Sequence, residues 1–211
     1  MKKWIGISVL IGVAGLVILV NLSARGRKSL NSLSLHQKAP DFTLIDIKGK
    51  SHSLSSHKGK YVVLEWINHG CPYVKKHYNT GNMQELQKEM TKKDVVWFSI
   101  CSSAKGKQGH YSMEEWNKIS VEKNSMATAV LIDEKGTVGR SYGAKTTPHM
   151  YIIGPEGTVI YQGAIDDKAS TDEDDVPIAK NFVRLALNQV LNGKSIVNAQ
   201  TVAYGCSVKY E

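Results

Sequence analysis

Buried-strand patterns alternate with helical patterns along most of this chain, and this alternation restricts the folds it can adopt. Three continuous apolar runs are typical of strands that are buried on both faces. Two helical patterns separate them, the first interrupted near Gly81. Strands joined through helices are expected to run parallel, which predicts an α/β fold. The apolar runs cover 61–66, 94–100 and 128–133, and the helical patterns cover 72–90 and 112–123.

Antiparallel hairpins are predicted at both ends of this region. Residues 39–54 alternate between apolar and polar around a Lys-Gly-Lys turn. The runs 149–154 and 158–163 are joined by a Pro-Glu-Gly turn. A closing helix is expected over 177–193, from a proline in its first turn to a glycine at its end. The prediction is therefore a mixed β-sheet flanked by helices.

The first 24 residues have the composition of a membrane segment. Two lysines precede an uncharged stretch from Trp4 to Ala24, which reaches the length that a spanning helix requires. No Ala-x-Ala cleavage site follows, although Leu22 and Ala24 occupy the positions of a weak one. We therefore expect an uncleaved transmembrane anchor at 1–24, with a cleaved signal peptide and a secreted protein as the alternative.

The positive charge of the chain is concentrated beside this segment. The net charge is +8, and residues 1–40 contain six bases and no acid. The remaining residues carry 21 bases against 19 acids, so a nucleic-acid surface is not predicted. Flanking bases suit anionic lipid headgroups. We expect a membrane-anchored protein with a tether at 25–38, a folded domain at 39–195 on the extracytoplasmic side and a tail at 196–211.

A run of acids precedes the closing helix. Residues 166–175 contain six acids in ten positions. Their spacing is not that of a calcium-binding loop with a central glycine. A solvated loop is expected, whose last acids favour the start of the following helix.

A single cysteine lies where the strand pattern at 61–66 gives way to a helix. Cys71 is followed by Pro72, and no second cysteine lies within the next turn. At the start of a helix, a cysteine faces unpaired backbone N–H groups and the positive end of the helix dipole, which favour the thiolate. A lone thiolate suffices for redox catalysis when another thiol resolves the product. Cys71 is therefore the predicted nucleophile.

Two other cysteines are candidates for the resolving thiol. Cys101 follows the strand pattern at 94–100, which is expected to end at the same sheet edge as the strand before Cys71. Cys206 lies in the tail, and the twelve residues that separate it from Gly193 span roughly 40 Å when extended. Three cysteines leave one unpaired in any intramolecular scheme. On the residues alone, both pairings remain open.

Several segments together resemble the peroxiredoxin-like branch of the thioredoxin superfamily, the redoxin or AhpC/TSA-type domains. The resemblance covers about 39–211 and depends most on two features, a Cys-Pro junction and a Thr-Thr-Pro that enters a hairpin some 75 residues later. The segments are APDFTL, NHGCPYVKKHY, KQGHYSMEEW, YGAKTTPHMYIIGPEGTVIYQGAIDD and YGCSVKY.

This resemblance implies a thioredoxin-like fold and a thiol-dependent antioxidant oxidoreductase. The implied substrate is a peroxide or a protein disulfide, with a thiol electron donor and no cofactor. Thr147 and a cis Pro148 are implied beside the reactive sulfur, and the recurring tail cysteine makes Cys206 the preferred resolving thiol. Peroxiredoxins carry proline and threonine seven and three residues before the cysteine, where this chain has Leu64 and Asn68. The Asn68 amide is the expected substitute for the threonine.

Histidines support a second class of function, a non-catalytic copper-binding or chaperone module. His69 lies two residues before Cys71, His149 follows Pro148, and His110 is a third candidate for copper or zinc. No HxxxH or CxxC spacing accompanies them, so a metal site is not predicted. His69 or His149 is instead a possible neighbouring cation that favours the thiolate.

Overall fold

The computed structural model describes residue 1 and residues 33–211. A mixed seven-stranded sheet with helices packed against it forms the centre of this region. The strands are β1 (Thr43–Asp46), β2 (Ser51–Ser53), β3 (Val62–Trp66), β4 (Val96–Cys101), β5 (Ala129–Ile132), β6 (Thr146–Thr147), β7 (His149–Ile153), β8 (Val159–Gly163) and β9 (Cys206–Ser207). The helices are α1 (Pro72–Asn79), α2 (Asn82–Thr91), α3 (Met113–Glu122), α4 (Thr137–Tyr142) and α5 (Phe182–Leu191).

The large sheet has the strand order β2-β1-β5-β4-β3-β7-β8, and β6 and β9 form a separate pair. Strands β3, β4 and β5 run parallel, whereas the remaining neighbours in the large sheet are antiparallel. Every residue of β3 and β4 is buried, as their continuous apolar runs predicted. The helical break occurs at Gly81, which adopts a left-handed conformation between α1 and α2. The predicted α/β architecture is confirmed.

Two apolar layers cover the two faces of the sheet. Successive side chains of a strand point to opposite faces, so Val63 and Leu64 of β3 belong to different layers. The first layer includes apolar residues of α1, α2 and α5, and it contains Cys71. The second layer includes Trp66 and Phe98. The predicted nucleophile therefore lies on one defined face of the sheet.

One carboxyl group is buried in the sheet on β3. Glu65 has no exposed surface. Its oxygens accept hydrogen bonds from Trp97 Nε1 and Ser99 Oγ, both at 2.8 Å, from Tyr78 Oη at 2.9 Å and from Gln87 Nε2 at 3.1 Å. Burial raises the pKa of Glu65 above its usual value, although each of these hydrogen bonds opposes the rise. Glu65 thus connects β3 to β4, α1 and α2.

The start of α5 differs from the sequence prediction. The helix begins at Phe182, and the Asn181 side chain caps it by accepting from the Arg184 N–H at 2.8 Å. Pro177 lies in a separate short 3₁₀ helix, Glu173–Ile178. The predicted helix at 177–193 was therefore wrong at its N-terminus. Helix α4 was not predicted, because six residues are too few to show a helical period.

The N-terminal side of the folded region begins before residue 39. Leu33 is buried against the second layer, and the backbone N–H of His36 donates to the Val159 carbonyl at 2.8 Å. The last part of the predicted tether thus packs on the sheet. The predicted membrane segment, Met1 apart, lies outside the described residues. Within the region described here, no helix is long and apolar enough to cross a membrane.

Replacing Glu65 by alanine should destabilise the fold, because four hydrogen-bonding side chains then lose their buried acceptor. We expect a fall in the free energy of unfolding of roughly 3–5 kcal/mol, because each buried donor left without a partner costs roughly 1–3 kcal/mol before the site relaxes. Urea unfolding followed by tryptophan fluorescence measures it. The exposed Glu85 on α2 supplies the control, since Glu85→Ala should change the free energy by less than about 0.5 kcal/mol. Equal effects of the two variants would contradict this role of Glu65.

Candidate active site

Cys71 lies at the end of the loop that follows β3, where it is the N-cap residue of α1. Pro72 occupies the first helical position, where its missing N–H costs nothing. The Cys71 side chain has no exposed surface. Its Sγ lies 3.1 Å from the carbonyl oxygen of Thr147, and its backbone N–H donates to the Asn68 carbonyl at 2.9 Å. The sequence prediction of a cysteine at a helix N-terminus is confirmed.

Thr147 and Pro148 form the loop that faces this sulfur. The peptide bond between them is cis, as the resemblance implied. The Thr147 hydroxyl is buried, and no described atom lies in regular hydrogen-bond geometry with it. This hydroxyl nevertheless lies close enough to lower the pKa of Cys71. The loop thus offers the sulfur a carbonyl acceptor and a hydroxyl donor.

The C-terminal tail brings Cys206 to the same place. Strand β9 pairs antiparallel with β6, and the register sets Cys206 opposite Thr147. Gly205 adopts a positive φ of 129°, and a Cβ at this position would clash with the Thr147 carbonyl oxygen. Glycine therefore allows the tail to lie flat against the loop. The tail is a paired strand rather than a free terminus.

The two sulfurs interact, and their pKa values move in opposite directions. Burial raises the pKa of Cys71, but hydrogen bonds from the Cys206 thiol, the Cys206 N–H, the Thr147 hydroxyl and the Val74 N–H together outweigh burial, and the net pKa is lowered. For Cys206, burial and the neighbouring Cys71 thiolate raise the pKa to about 11. Of the two sulfurs, the arrangement therefore favours the thiolate on Cys71, whereas Cys206 remains the protonated donor.

Cys101 has a different environment. It is buried at the end of β4, and its Sγ lies 3.3 Å from the Gly109 carbonyl oxygen. Burial raises the pKa of the Cys101 thiol. Strands β3 and β4 are parallel, as predicted, but Cys206, and not Cys101, is the cysteine that interacts with Cys71. Cys101 is therefore a packed thiol with little thiolate character.

Asn68 holds the loop beside Cys71. Its side-chain oxygen accepts from the Gly70 N–H at 2.8 Å, and its Nδ2 donates to the Gln108 carbonyl at 3.1 Å. Gly109, with a positive φ of 87°, leaves the space that this amide fills. The amide is engaged with protein atoms in this structure. Its role in orienting a peroxide stays a prediction.

The two buried histidines near the site, His69 and His149, are neutral near neutral pH. Burial lowers the pKa of His69 and of His149 to about 4 in each case. The prediction that either acts as a neighbouring cation for Cys71 is therefore wrong at neutral pH. His110 lies 3.7 Å from Glu134 Oε2. Among the described residues, no group of three or more His, Cys, Asp or Glu side chains is arranged to hold a metal ion.

The roles of the two residues that precede Cys206 were not predicted from the sequence. Gly205 permits the close approach of the tail, and Tyr204 donates a hydrogen bond to the buried Asp166. The signal was present as Tyr-Gly immediately before the cysteine. Asp166 also corrects the expectation that the whole acid run at 166–175 is solvated, because this carboxyl is almost completely buried.

A helix-flanked mixed sheet with a buried cysteine at a helix N-terminus beside a cis proline defines a thioredoxin-like redoxin. A sequence profile of the AhpC/TSA family matches residues 35–162, which is more than half of the chain. The chain belongs to the AhpC/TSA family, a redoxin branch of the thioredoxin superfamily. The resemblance seen in the sequence is thereby confirmed, and membership indicates a thiol oxidoreductase.

Individual relatives agree with this assignment. The chain is 28% identical over 174 residues to the thioredoxin-like protein YneN of Bacillus subtilis, covering 80% of this chain and 94% of that protein. It is similar to an uncharacterized conserved protein from Geobacillus kaustophilus, with 26% identity, a TM-score of 0.73 and coverage of 86% and 94% of the two chains. A thioredoxin domain of a thiol-disulfide oxidoreductase from Bacteroides vulgatus matches with 27% identity and a TM-score of 0.50, over 62% of this chain and 89% of that one.

The ultraviolet absorbance of the thiolate should report one acidic thiol in the reduced protein. Cys71 should titrate below the ordinary thiol value of 9.0, because the hydrogen bonds from Cys206 stabilise its charged form. Cys206→Ala should move this midpoint to higher pH, since the variant lacks the thiol donor. Cys101→Ser serves as the control and should leave the midpoint unchanged. A Cys206→Ala midpoint equal to that of the wild type would contradict the assignment.

Proposed function

We propose that the protein is a thiol-disulfide oxidoreductase that cycles between two reduced cysteines and a Cys71–Cys206 disulfide. The observation that carries this proposal is the pairing of β9 with β6, which sets Cys206 opposite Thr147 and against the Cys71 sulfur. The opposite pKa shifts support Cys71 as the nucleophile and Cys206 as the resolving thiol.

The proposed exchange transfers two electrons to the substrate. The Cys71 thiolate attacks one sulfur of a substrate disulfide, the S–S bond breaks, and the other sulfur leaves as a thiolate. Cys206 then loses its proton and attacks the Cys71 sulfur, which releases the second substrate sulfur. The substrate ends as two thiols, and the protein ends as the Cys71–Cys206 disulfide. An external dithiol returns the protein to its reduced form.

The electrostatics of the pair support the order of these steps. In the reduced protein, the Cys71 thiolate is one cause of the raised pKa of Cys206. Once Cys71 is oxidised, that negative charge is gone, and the Cys206 proton is released more readily. The resolving thiol thus becomes reactive only after the nucleophile has reacted.

Exposure indicates which sulfur the external dithiol attacks. Cys71 is completely buried, whereas Cys206 is partly exposed. In the disulfide, attack at Cys206 expels Cys71, which has the lower thiol pKa of the two and is therefore the faster leaving group. The mixed disulfide with the electron donor is thus expected on Cys206.

Peroxide reduction is a second candidate, favoured by the burial of Cys71 and by the unpaired Thr147 hydroxyl beside it. In this reaction, the Cys71 thiolate attacks a peroxide oxygen, the O–O bond breaks, and the departing oxygen leaves as water or an alcohol. Attack by Cys206 on the resulting sulfenic acid breaks the S–O bond and releases water. A small oxidant reaches a buried sulfur more easily than a protein disulfide does.

We also propose that residues 1–24 anchor the domain on the extracytoplasmic side of a membrane. The uncharged stretch from Trp4 to Ala24 and the flanking bases support the membrane anchor. An oxidising compartment would suit a reversible disulfide.

Intact-mass analysis of the purified full-length chain tests the proposed cycle. After a limiting amount of hydrogen peroxide or glutathione disulfide, the wild type should lose the mass of two hydrogens. Cys206→Ser should instead stop at a Cys71 sulfenic acid with peroxide, and at a Cys71–glutathione adduct with glutathione disulfide. The oxidant that consumes the Cys71 thiol faster identifies the favoured reaction.

Cys101→Ser is the matched control, because it removes a buried cysteine without touching the pair. It should form the disulfide at the wild-type rate. A Cys71–Cys101 link on peptide mapping, or a Cys206→Ser protein that still loses two hydrogens, would overturn the proposed cycle.

A further inference from the structure

A buried polar cluster lies beneath the tail. Its member from the tail is the tyrosine two residues before Cys206. It contains an ammonium, a carboxyl, an imidazole and a phenol, and the proposed cycle uses none of them. The lysine, the histidine and the aspartate are almost completely buried, and the tyrosine is partly buried. The four side chains are Lys76 and His77 of α1, Asp166 of the loop after β8, and Tyr204 of the tail.

The hydrogen bonds of this cluster have a consistent direction. Asn82 Nδ2 donates to His77 Nδ1 at 2.9 Å, which assigns the imidazole proton to Nε2. His77 Nε2 lies 3.3 Å from the Tyr204 oxygen and donates to it. The Tyr204 hydroxyl donates in turn to Asp166 Oδ1. Burial lowers the pKa of His77 to about 3, so its imidazole is neutral and this direction is maintained near neutral pH.

Lys76 places a positive charge behind the Asp166 carboxylate. Its Nζ lies 3.9 Å from Asp166 Oδ2 and donates to the Lys168 carbonyl at 2.9 Å. The Lys76 side chain has no exposed surface, so the charge is fixed in place. Tyr204 thus donates to a carboxylate whose charge is balanced on its far side, which makes its hydrogen bond charge-assisted.

The cluster and the nucleophile share one helix. Cys71 caps α1, and Lys76 and His77 lie in its second turn. The Tyr204 ring also contacts the ring of Tyr73, with centroids 5.8 Å apart. A tail fixed at Tyr204 is therefore fixed relative to Cys71 itself. The β6–β9 ladder has only two residue pairs, so it gains from an anchor next to it.

We propose that Tyr204 is a positioning residue, whose hydroxyl, held by Asp166 and His77, keeps Cys206 beside Cys71 and so sets the rate at which oxidised Cys71 is resolved. This inference rests on the proposed cycle, in which Cys206 attacks Cys71. It adds a determinant of rate that lies outside the reacting pair. Without the Tyr204 hydroxyl, Cys206 spends less time beside the Cys71 sulfur, and its attack on oxidised Cys71 is therefore slower.

Tyr204→Phe tests the inference, because it retains the ring and removes the hydroxyl. In the full-length chain, rapid quenching after glutathione disulfide, at a pH above the Cys71 midpoint of both proteins, should show Cys71 consumed at the wild-type rate. The step from the Cys71–glutathione adduct to the disulfide should slow roughly tenfold or more, as expected for loss of a charge-assisted hydrogen bond. The pH midpoint of the Cys71 thiolate should also rise, because the Cys206 donor is less often in place.

Tyr142→Phe is the matched control. It also removes a buried tyrosine hydroxyl, which donates to the Pro40 carbonyl at 2.7 Å, but it lies in the other apolar layer. Thermal melts of both variants show the cost to stability. Tyr142→Phe should keep the wild-type resolving rate and Cys71 midpoint.

A Tyr204→Phe protein that resolves the adduct at the wild-type rate overturns the inference. Equal slowing of the step in Tyr204→Phe and Tyr142→Phe also overturns it, since the effect would then be general destabilisation. Failure of the proposed cycle is distinguishable, because the wild type itself would then form no Cys71–Cys206 disulfide.

Discussion

The antiparallel pairing of Cys206 with Thr147 is the interaction on which the proposed chemistry depends. Cys71 is buried at a helix N-terminus, and the loop of Thr147 and cis Pro148 lies against its sulfur. By pairing with that loop, the tail delivers a second thiol to a sulfur that solvent does not reach. Gly205 makes the approach possible, since any Cβ there would clash with the Thr147 carbonyl. In the proposed cycle, the tail thus belongs to the site as much as Cys71 does.

This geometry gives the two cysteines different thiol pKa values. Burial disfavours a thiolate on either sulfur, yet Cys71 receives hydrogen bonds while Cys206 faces a negative charge. The sequence suggested a cationic histidine as the group that favours the Cys71 thiolate, but His69 and His149 are too buried to carry charge at neutral pH. The hydrogen bonds to Cys71 have this effect instead.

The sequence predicted those parts of the structure that depend on neighbouring residues in the chain. The continuous apolar runs of β3 and β4, the Cys-Pro junction and the hairpin after Pro148 were each visible in a short window of sequence. The pairing of β9 was not, because two residues of a tail carry no periodicity and their partner lies about sixty residues away. The extended length of the tail showed only that Cys206 was able to reach Cys71. The burial of Asp166 was not predicted for a similar reason. Its partners come from α1 and the tail, which are distant in sequence, so the acid run was predicted to be solvated.

Equilibration of the full-length chain with glutathione redox buffers, followed by non-reducing peptide mapping, tests the proposed Cys71–Cys206 pair most directly. We expect one two-electron transition, in which a single peptide pair joining Cys71 to Cys206 appears within a monomer while Cys101 stays reduced throughout. A transition that ends as a stable glutathione adduct on Cys71, or one that joins Cys71 to Cys101, would contradict this pairing.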